Sequence, residues 1–476
     1  MINSQDISGK SSREFARKVY FVGIGGIGMA NLARYYLSKG AEVAGYDRTP
    51  STLTRTLEKE GAKIVYDDDV ALIPEGMSDS ASTLVVFTPA VPEDNNILSY
   101  FREHGFAVVK RAALLGEITR HSKAICVAGS HGKTTTSSMI AHILHISPIG
   151  CNAFLGGILR NYNSNLLLSS TSPYSVIEAD EYDRSFHHLQ PYIAVVTSTD
   201  PDHLDIYGDE EGYLEGFAHF TSLIRPGGTL IKHTGLKLRE RLQDNVSVIT
   251  YSGAEDNSGE CHAENLLFEN GHLYFDYVEP GKRIERLSLG VPILINVDNA
   301  VAAIKASLLA GIEEDTIRKG LATFMGPARR FHIWLNEGES PSGKILIDDY
   351  AHSPAEVMNS IRSVKRLWPE KKLTVVFQPH LYTRTRDFAG DFADSLSEAD
   401  EVILCEIYPA REAPIDGVSS ELIFRDIKCK KHLIERKDLL EKIKNTNFDI
   451  LMTLGAADLD RMLPDIKGIL CESAKN

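Results

Sequence analysis

No stretch of this sequence stays apolar for the roughly 18 to 20 residues that a bilayer crossing takes. Its first residues, Met1 to Lys18, are polar and mixed in charge. Neither a membrane span nor a secretory leader is expected, so the protein is expected to remain in the cytoplasm. Cysteine is sparse and scattered: the six residues, at 126, 151, 261, 405, 429 and 471, include no C-x-x-C pair. That argues against a disulfide framework or a zinc ribbon and suits a reducing compartment. Positive charge is also short, with 51 Lys and Arg against 65 Asp and Glu and a net charge of −14. Nucleic acid and anionic membrane surfaces, both polyanions, are therefore not expected partners. An acidic chain that holds phosphate must do so with local donors. Apolar residues are not lacking: 43% of 476 residues can fill the cores of about three domains.

The most informative stretch is Gly129-Ser130-His131-Gly132-Lys133-Thr134-Thr135-Thr136. The apolar run Ala124 to Ala128 before it reads as a buried strand, and Ser137 to Leu144 after it reads as a helix. Strand, glycine turn, Lys-Thr and helix is the layout of a phosphate-binding loop. Backbone N–H groups and the helix N-terminus meet phosphate oxygens there, Lys133 adds a mobile charge, and Thr134 offers a hydroxyl to Mg²⁺. The spacing is G-x-x-G-K-T-T, because Val127 stands where the commoner pattern has its first glycine. A second glycine turn lies nearer the N-terminus. The strand Val19 to Val22 runs into Gly23-Ile24-Gly25-Gly26-Ile27-Gly28, a helix follows, and the next strand ends at Asp47. This βαβ outline fits a dinucleotide, or any diphosphate-bearing ligand placed on the helix N-terminus. Thr88, after the strand Thr83 to Phe87, suits a ligand contact and a proline-bearing loop equally.

Other strand ends carry chemistry. The strand from Tyr174 delivers Glu178-Ala179-Asp180-Glu181-Tyr182-Asp183, with Glu178 at its tip as a second support for Mg²⁺; the alternative, a solvated acidic turn, suits Glu181 and Asp183 better than Glu178. His203, after the strand Tyr192 to Thr197, extends the series Lys133, Glu178, His203 toward a metal or phosphate site. Residues from about 225 to 290 read as an antiparallel β insertion. Asn299 reads first as a helix cap and second as a ligand contact. Arg329-Arg330 suits a phosphate clamp or a solvated linker. Further on, strands end in Asp348-Asp349-Tyr350-Ala351-His352-Ser353-Pro354 and in Gln378-Pro379-His380-Leu381-Tyr382-Thr383-Arg384-Thr385-Arg386. His380, Arg384 and Arg386 suit a carboxylate, with Arg386 beside Asp387 equally a structural ion pair. The basic run from Lys428 to Lys437 reads as a solvated helix face.

Taken together these motifs resemble the Mur ligase family, from about Val19 to Asp458. The carrying residues are Gly23 to Met29, GSHGKTTT, EADEYD, Asp202-His203 with Asp205 and Tyr207, Asn296 with Asn299, Arg329-Arg330-Phe331, DDYAHSP and FQPHLYTRTR. The last separates the alanine-adding branch from its relatives. Three positions depart from the family pattern: Ile295 and Ser353 stand where His is usual, and Ser198 where Asn is common.

The resemblance implies an α/β chain of three domains. These are a Rossmann-like domain for the UDP-sugar (1–118), a central P-loop ATPase-like domain with a small antiparallel β insertion (119–328), and a Rossmann-like domain for the amino acid (329–476). It implies an ATP- and Mg²⁺-dependent ligase of the bacterial cytoplasm, a monomer or weak homodimer, that joins UDP-N-acetylmuramate to L-alanine through an acyl phosphate. Gly23, Gly25, Gly26, Gly28, Asp47 and Thr88 would face the UDP part. Gly129, Ser130, His131, Gly132, Lys133, Thr134, Thr135, Asn296, Asn299, Arg330 and Asp349 would face ATP. Thr134, Glu178 and His203 would hold Mg²⁺, and Tyr350, His352, His380 and Arg384 would hold the amino acid. Lys133, Glu178, His203 and Arg330 would carry catalysis. Three other readings compete. An NAD-dependent oxidoreductase, from G-x-G-x-x-G and Asp47, leaves GSHGKTTT and EADEYD without a role. A nucleotide-switched binding protein would show no amino-acid-dependent turnover. A Mur relative that adds a whole peptide would lack FQPHLYTRTR.

Overall fold

The computed structural model describes residues 16–472, apart from 202, 203, 255, 270, 339, 341 and 411 and the side chains of 183, 204, 205 and 472. The first sheet is wholly parallel, in the order Lys63–Val65, Glu42–Tyr46, Lys18–Val22, Thr83–Phe87, Ala107–Lys110. The order reverses on either side of Lys18–Val22, which opens a crevice at the C-terminal ends of the strands. Alternation along that central strand explains its burial on both faces. Val19 and Phe21 pack on the side of the helix Ile27–Ser38, while Tyr20 and Val22 pack on Phe101 and Leu98.

The second sheet has the order Ser247–Tyr251, Thr229–His233, Ile193–Val196, Lys123–Ala128, Tyr174–Glu178, Asn152–Leu159, Ser164–Leu167. It is parallel except at its last edge pair. The antiparallel insertion is smaller than the sequence pattern suggests. Thr229–His233 and Ser247–Tyr251 pair in parallel with the central sheet, and only His262–Glu269, His272–Glu279 and Lys282–Leu289 form an antiparallel unit. An edge strand with one wet face alternates like a hairpin strand, so periodicity alone does not separate the two.

The last sheet runs His332–Leu335, Ile345–Asp349, Ile450–Leu454, Leu373–Phe377, Glu401–Leu404, Lys430–Leu433, with only the first of these antiparallel. The basic run expected as a helix face is instead the edge strand Lys430–Leu433 and the turn after it. Lys372, Lys430 and His432 converge there on the buried carboxylate of Glu401, which they hold down to about 2 against the burial that would raise it.

The three α/β units are packed together. Tyr35 of the first meets Phe154 of the second edge-on, with ring centroids 5.5 Å apart. Leu159 of the second pairs with Pro327 just before the third. Behind the phosphate loop, the buried His142 on the helix Lys133–His145 reaches Tyr162 Oη at 2.8 Å and Thr323 Oγ1 at 2.9 Å. Burial holds this imidazole neutral, its pKa pushed down to about 4.

Candidate functional site

The glycines at 129 and 132 are required by their surroundings. Gly129 has φ 141° and Gly132 φ 83°, where side-chain-bearing residues are strained. A Cβ on Gly129 would run into Thr197 Oγ1, and one on Gly132 would come within 2.8 Å of Asn299 Oδ1. Hydroxyls from the neighbouring strand end fasten the loop. Ser198 Oγ accepts from the His131 N–H at 2.7 Å, Thr197 Oγ1 donates to the His131 carbonyl at 2.5 Å, and Ser130 Oγ donates to the Asp200 carbonyl at 2.6 Å. Ser198, one of the three departures, thus supports the loop backbone directly. No side chain caps the helix that begins at Lys133, so its first N–H groups face the loop.

Lys133 Nζ donates to the Gly129 carbonyl at 2.5 Å and to Glu181 Oε1 at 2.8 Å. Thr134 Oγ1 donates to Glu178 Oε1 at 3.0 Å, and the Gly156 N–H donates to Glu178 Oε2 at 2.9 Å. Burial raises the Glu178 carboxyl above its usual range, against these bonds and the charge of Lys133. Glu181 does not take the solvated-turn alternative. It is 1% exposed and sits against Lys133, and burial raises its carboxyl too. Asn299 is not a helix cap, because it lies inside the helix Ile295–Leu309, whose N-cap position is Leu294 and has no side-chain cap bond. Asn299 accepts from Thr136 Oγ1 at 2.9 Å and donates to Asn296 Oδ1 at 3.0 Å, bracing the loop from behind. Asp202 and His203 lie outside the described residues, as do the side chains of Asp183 and Asp205.

In the first glycine turn, Gly23 takes φ 85° and Gly26 begins the helix Ile27–Ser38 without a side-chain cap. Asp47 accepts from the Gly25 N–H at 2.7 Å and from the Thr49 N–H at 3.2 Å. Thr88 packs close, its Cγ2 2.8 Å from where a Gly23 Cβ would be. Sequence reasoning missed Arg111, whose guanidinium lies over Gly28, with Nη1 2.9 Å from where a Cβ there would be. A cleft of about 300 Å³ runs from Ile27, Gly28 and Arg111 past Phe154 to Gly156 and Glu178. It connects the first glycine turn to the carboxylate that touches Thr134. A wider hollow of about 800 Å³, beside Lys123 and Arg225, lies at the opposite end of the central sheet and away from every strand-end motif.

The last unit meets the phosphate loop through Glu356. Its Oε1 is 3.8 Å from His131 Nδ1 and 3.9 Å from Arg330 Nη1, and its Oε2 accepts from the His352 N–H at 3.0 Å. Burial alone would raise this carboxyl, but His352, Arg330 and His131 bring it below its usual range. Ser353, the second departure, caps the helix Pro354–Leu367 in a capping box with Glu356. The Arg330 guanidinium stacks on Tyr350, 5.0 Å from the ring centroid. Arg329 and Phe331 on either side of it have φ 61° and 44°. Asp349 is buried beneath this turn, accepting from the Phe331 N–H at 3.2 Å and from Ser360 Oγ, and burial raises its carboxyl.

His352 and His380 are both held below the usual imidazole range, first by burial and then by the charge of Arg384. His380 stacks on Tyr408, and its buried Nδ1 has no hydrogen-bond partner. Arg384 is half-buried and has no carboxylate partner among the described residues, which leaves its charge available. Arg386 pairs with Asp387 at 2.7 Å and takes the structural alternative. Ile295, the third departure, is 44% exposed.

Three open sheets that direct glycine turns, carboxylates and a guanidinium into one region define a multidomain carboxylate-activating ligase fold. The chain belongs to the Mur ligase family. Residues 18–123 match the model described as "Mur ligase family, catalytic domain", 127–307 the "Mur ligase middle domain", and 329–456 "Mur ligase, glutamate ligase domain". Among curated relatives, the UDP-N-acetylmuramate–L-alanine ligase of Parabacteroides distasonis is 55% identical, over 96% of this chain and 98% of its own. The protein of the same name from Porphyromonas gingivalis is 49% identical, over 95% and 99%. Among solved structures, the UDP-N-acetylmuramate–alanine ligase of Thermotoga maritima superposes with a TM-score of 0.73 at 27% identity, covering 96% of this chain and 99% of that one.

Proposed function

We propose that the protein is the ATP-dependent ligase that joins the lactyl carboxylate of UDP-N-acetylmuramate to L-alanine in peptidoglycan precursor synthesis, releasing ADP and phosphate. The observation that carries this reading is the cleft between the first glycine turn and Glu178, because it lets one ligand lie on Gly28 and Arg111 while its far end reaches Glu178, the carboxylate that accepts from Thr134 of the phosphate loop. The curated relatives of the same name support the choice of substrates.

Residues 1–118 take the sugar nucleotide, with the diphosphate on Gly25, Gly26 and Gly28 and the uridine toward Asp47 and Thr88. Residues 119–328 take ATP in the loop Gly129 to Thr135, with the base toward Asn296 and Asn299. Residues 329–476 take the amino acid, its carboxylate on Arg384 and its amine near Tyr350, His352 and His380. Arg330 and Asp349 belong to the nucleotide side of that boundary. The hydroxyl of Thr134 and the carboxylate of Glu178 are hard oxygen donors that suit Mg²⁺, with His203 beside them in the sequence series. When bound, that cation neutralises charge on the terminal phosphates.

The chemistry follows from these positions. Amide formation from a free carboxylate is uphill, so the lactyl oxygen first attacks the γ-phosphorus and ADP leaves. Lys133 and Arg330 stabilise the charge on the transferring group. The alanine amine then attacks the acyl carbon and phosphate departs. The ammonium proton must be lost first, and the imidazoles of His352 and His380, kept neutral by burial, can receive it. Packing the units around the reactants raises their effective concentration and excludes water.

No helix among the described residues is long and apolar enough to cross a membrane. We place the enzyme in the bacterial cytoplasm as a monomer or weak homodimer, which sedimentation velocity checks. The decisive assay is phosphate release with ATP, Mg²⁺ and UDP-N-acetylmuramate, testing amino acids singly. Stimulation by L-alanine is expected. Stimulation by a peptide in its place would assign the chain to the peptide-adding relatives.

A further inference from the structure

Lys133 and Glu181 form an ion pair at the point where a terminal phosphate would sit. Glu181 Oε1 is 2.8 Å from Nζ, and the two side chains are 2% and 14% exposed. The Gly129 carbonyl takes a second hydrogen of the ammonium at 2.5 Å. Glu181 Oε2 is buried without a hydrogen-bond partner, and Lys133 is the cation that pairs with the carboxylate. Its backbone is anchored, because Tyr207 Oη donates to the Glu181 carbonyl at 2.7 Å. The ammonium that a phosphate loop offers its ligand is therefore already engaged inside the protein. Phosphate must draw Nζ from a charge-assisted bond and leave a buried carboxylate behind.

We infer that Glu181 is a latch on Lys133: it holds the ammonium back in the nucleotide-free loop, opposes nucleotide binding, and recaptures Lys133 as ADP leaves. Glu181 is a positioning residue, acting on the phosphates only through Lys133. The inference rests on the ATP-binding reading above and adds a resting state to the same loop.

The sign of one effect separates a latch from a supporting contact. Removing a residue that merely shapes the loop weakens nucleotide binding, whereas removing a latch tightens it. Calorimetric titration of the full-length protein with ADP and MgCl₂ reads this. Glu181→Gln is expected to bind ADP about tenfold tighter, the size of one charge-assisted hydrogen bond. ADP dissociation in stopped flow should slow by a similar factor. Glu181→Asp keeps the charge but shortens the reach, and should shift affinity in the same direction by a smaller factor. It also serves if the glutamine variant does not fold. Equal or weaker binding in the folded variants overturns the latch. In a Lys133→Met background, Glu181→Gln is expected to leave ADP affinity within roughly twofold, because coupled residues lose their interaction when one partner is gone. A full tenfold gain there means direct repulsion of phosphate by the carboxylate and overturns the latch while leaving nucleotide binding intact. Absence of ADP binding to the wild-type protein overturns the functional reading itself, and the latch with it.

Discussion

The molecule has two strand–glycine turn–helix units, and they solve different problems. Gly23 to Gly28 and Gly129 to Gly132 both lead into helices that lack a side-chain cap, so each offers bare N–H groups. In the first turn the nearby charge comes from elsewhere. Asp47 occupies the Gly25 N–H from the next strand end, and Arg111 reaches over Gly28 from a helix more than eighty residues along the chain. In the second, the cation is part of the turn and two carboxylates, the half-buried Glu178 and the buried Glu181, stand beside it. A diphosphate that is held through turnover needs only donors. A phosphate that is transferred needs charge that can follow the reacting atoms. The difference between the turns is therefore the difference between holding and reacting.

The largest test of that contrast is Lys133→Ala. It should lower phosphate release by at least about 10³-fold, while calorimetry finds the UDP-N-acetylmuramate affinity within roughly threefold of wild type. Loss of both in a folded variant would remove the separation between the turns. Next is a pair of matched alanines. Gly129→Ala places a Cβ against Thr197 at φ 141° and should weaken ADP binding by roughly 10- to 100-fold. Gly28→Ala meets the Arg111 side chain, which can move aside, and should weaken sugar-nucleotide binding by at most about tenfold, through that displacement. Equal penalties would mean that both turns are equally rigid.

Arg111→Ala should raise the KM for the sugar nucleotide about tenfold and leave ADP binding unchanged. A change in ADP affinity would place Arg111 on the wrong turn. The smallest effect concerns pH. His142 lies on the helix behind the second turn, and the helix behind the first has no histidine. Its folded pKa, about 4, is below the usual 6.5, so the neutral form is the one that suits the fold. Its stabilising contribution is complete above pH 6.5 and is lost as pH falls through 6.5 toward 4, by up to about 3 kcal/mol. A thermal melt should shift down between pH 7 and pH 5, and His142→Gln should remove its share of that dependence, leaving the part due to His187 and His332, which burial also pushes down to about 4.

Much of this was legible locally. The phosphate loop, the first glycine turn and the strand ends at Glu178 and Asp349 are contiguous patterns whose geometry follows from strand, turn and helix. What was not legible depends on where distant segments land. Glu181 looked like the outer part of an acidic turn, and only the fold sets it against Lys133, 48 positions away. Arg111 and Glu356 carry no motif of their own, and their importance comes from lying over Gly28 and between His131 and Arg330. Ser247–Tyr251 was misread because alternation reports a wet face, not the direction of the neighbouring strand. Asn299 was misread as a cap because Asn near a helix start is usually one, whereas here a tight helix contact behind Gly132 takes its amide.

The turn at 329–331 has a mechanical consequence. Two residues with side chains sit in the left-handed region on either side of Arg330, each at a cost on the order of 1 kcal/mol. They are kept there by Asp349 beneath Phe331 and by the Gly455 carbonyl, which accepts from Arg329 Nη2 at 2.8 Å. Such a turn has few neighbouring conformations to slide into, so it behaves as a stiff elbow and not as a swivel. Gly326, three residues earlier, is tied as well: at φ 79° its carbonyl accepts from the Arg160 N–H at 3.1 Å and from Arg160 Nε at 3.4 Å, so the segment is held at both ends. The elbow carries Arg330 with it, so the angle between the units and the aim of the guanidinium are one variable. Spin labels on the two units should report a broader spread of distances in Arg329→Gly than in the natural chain.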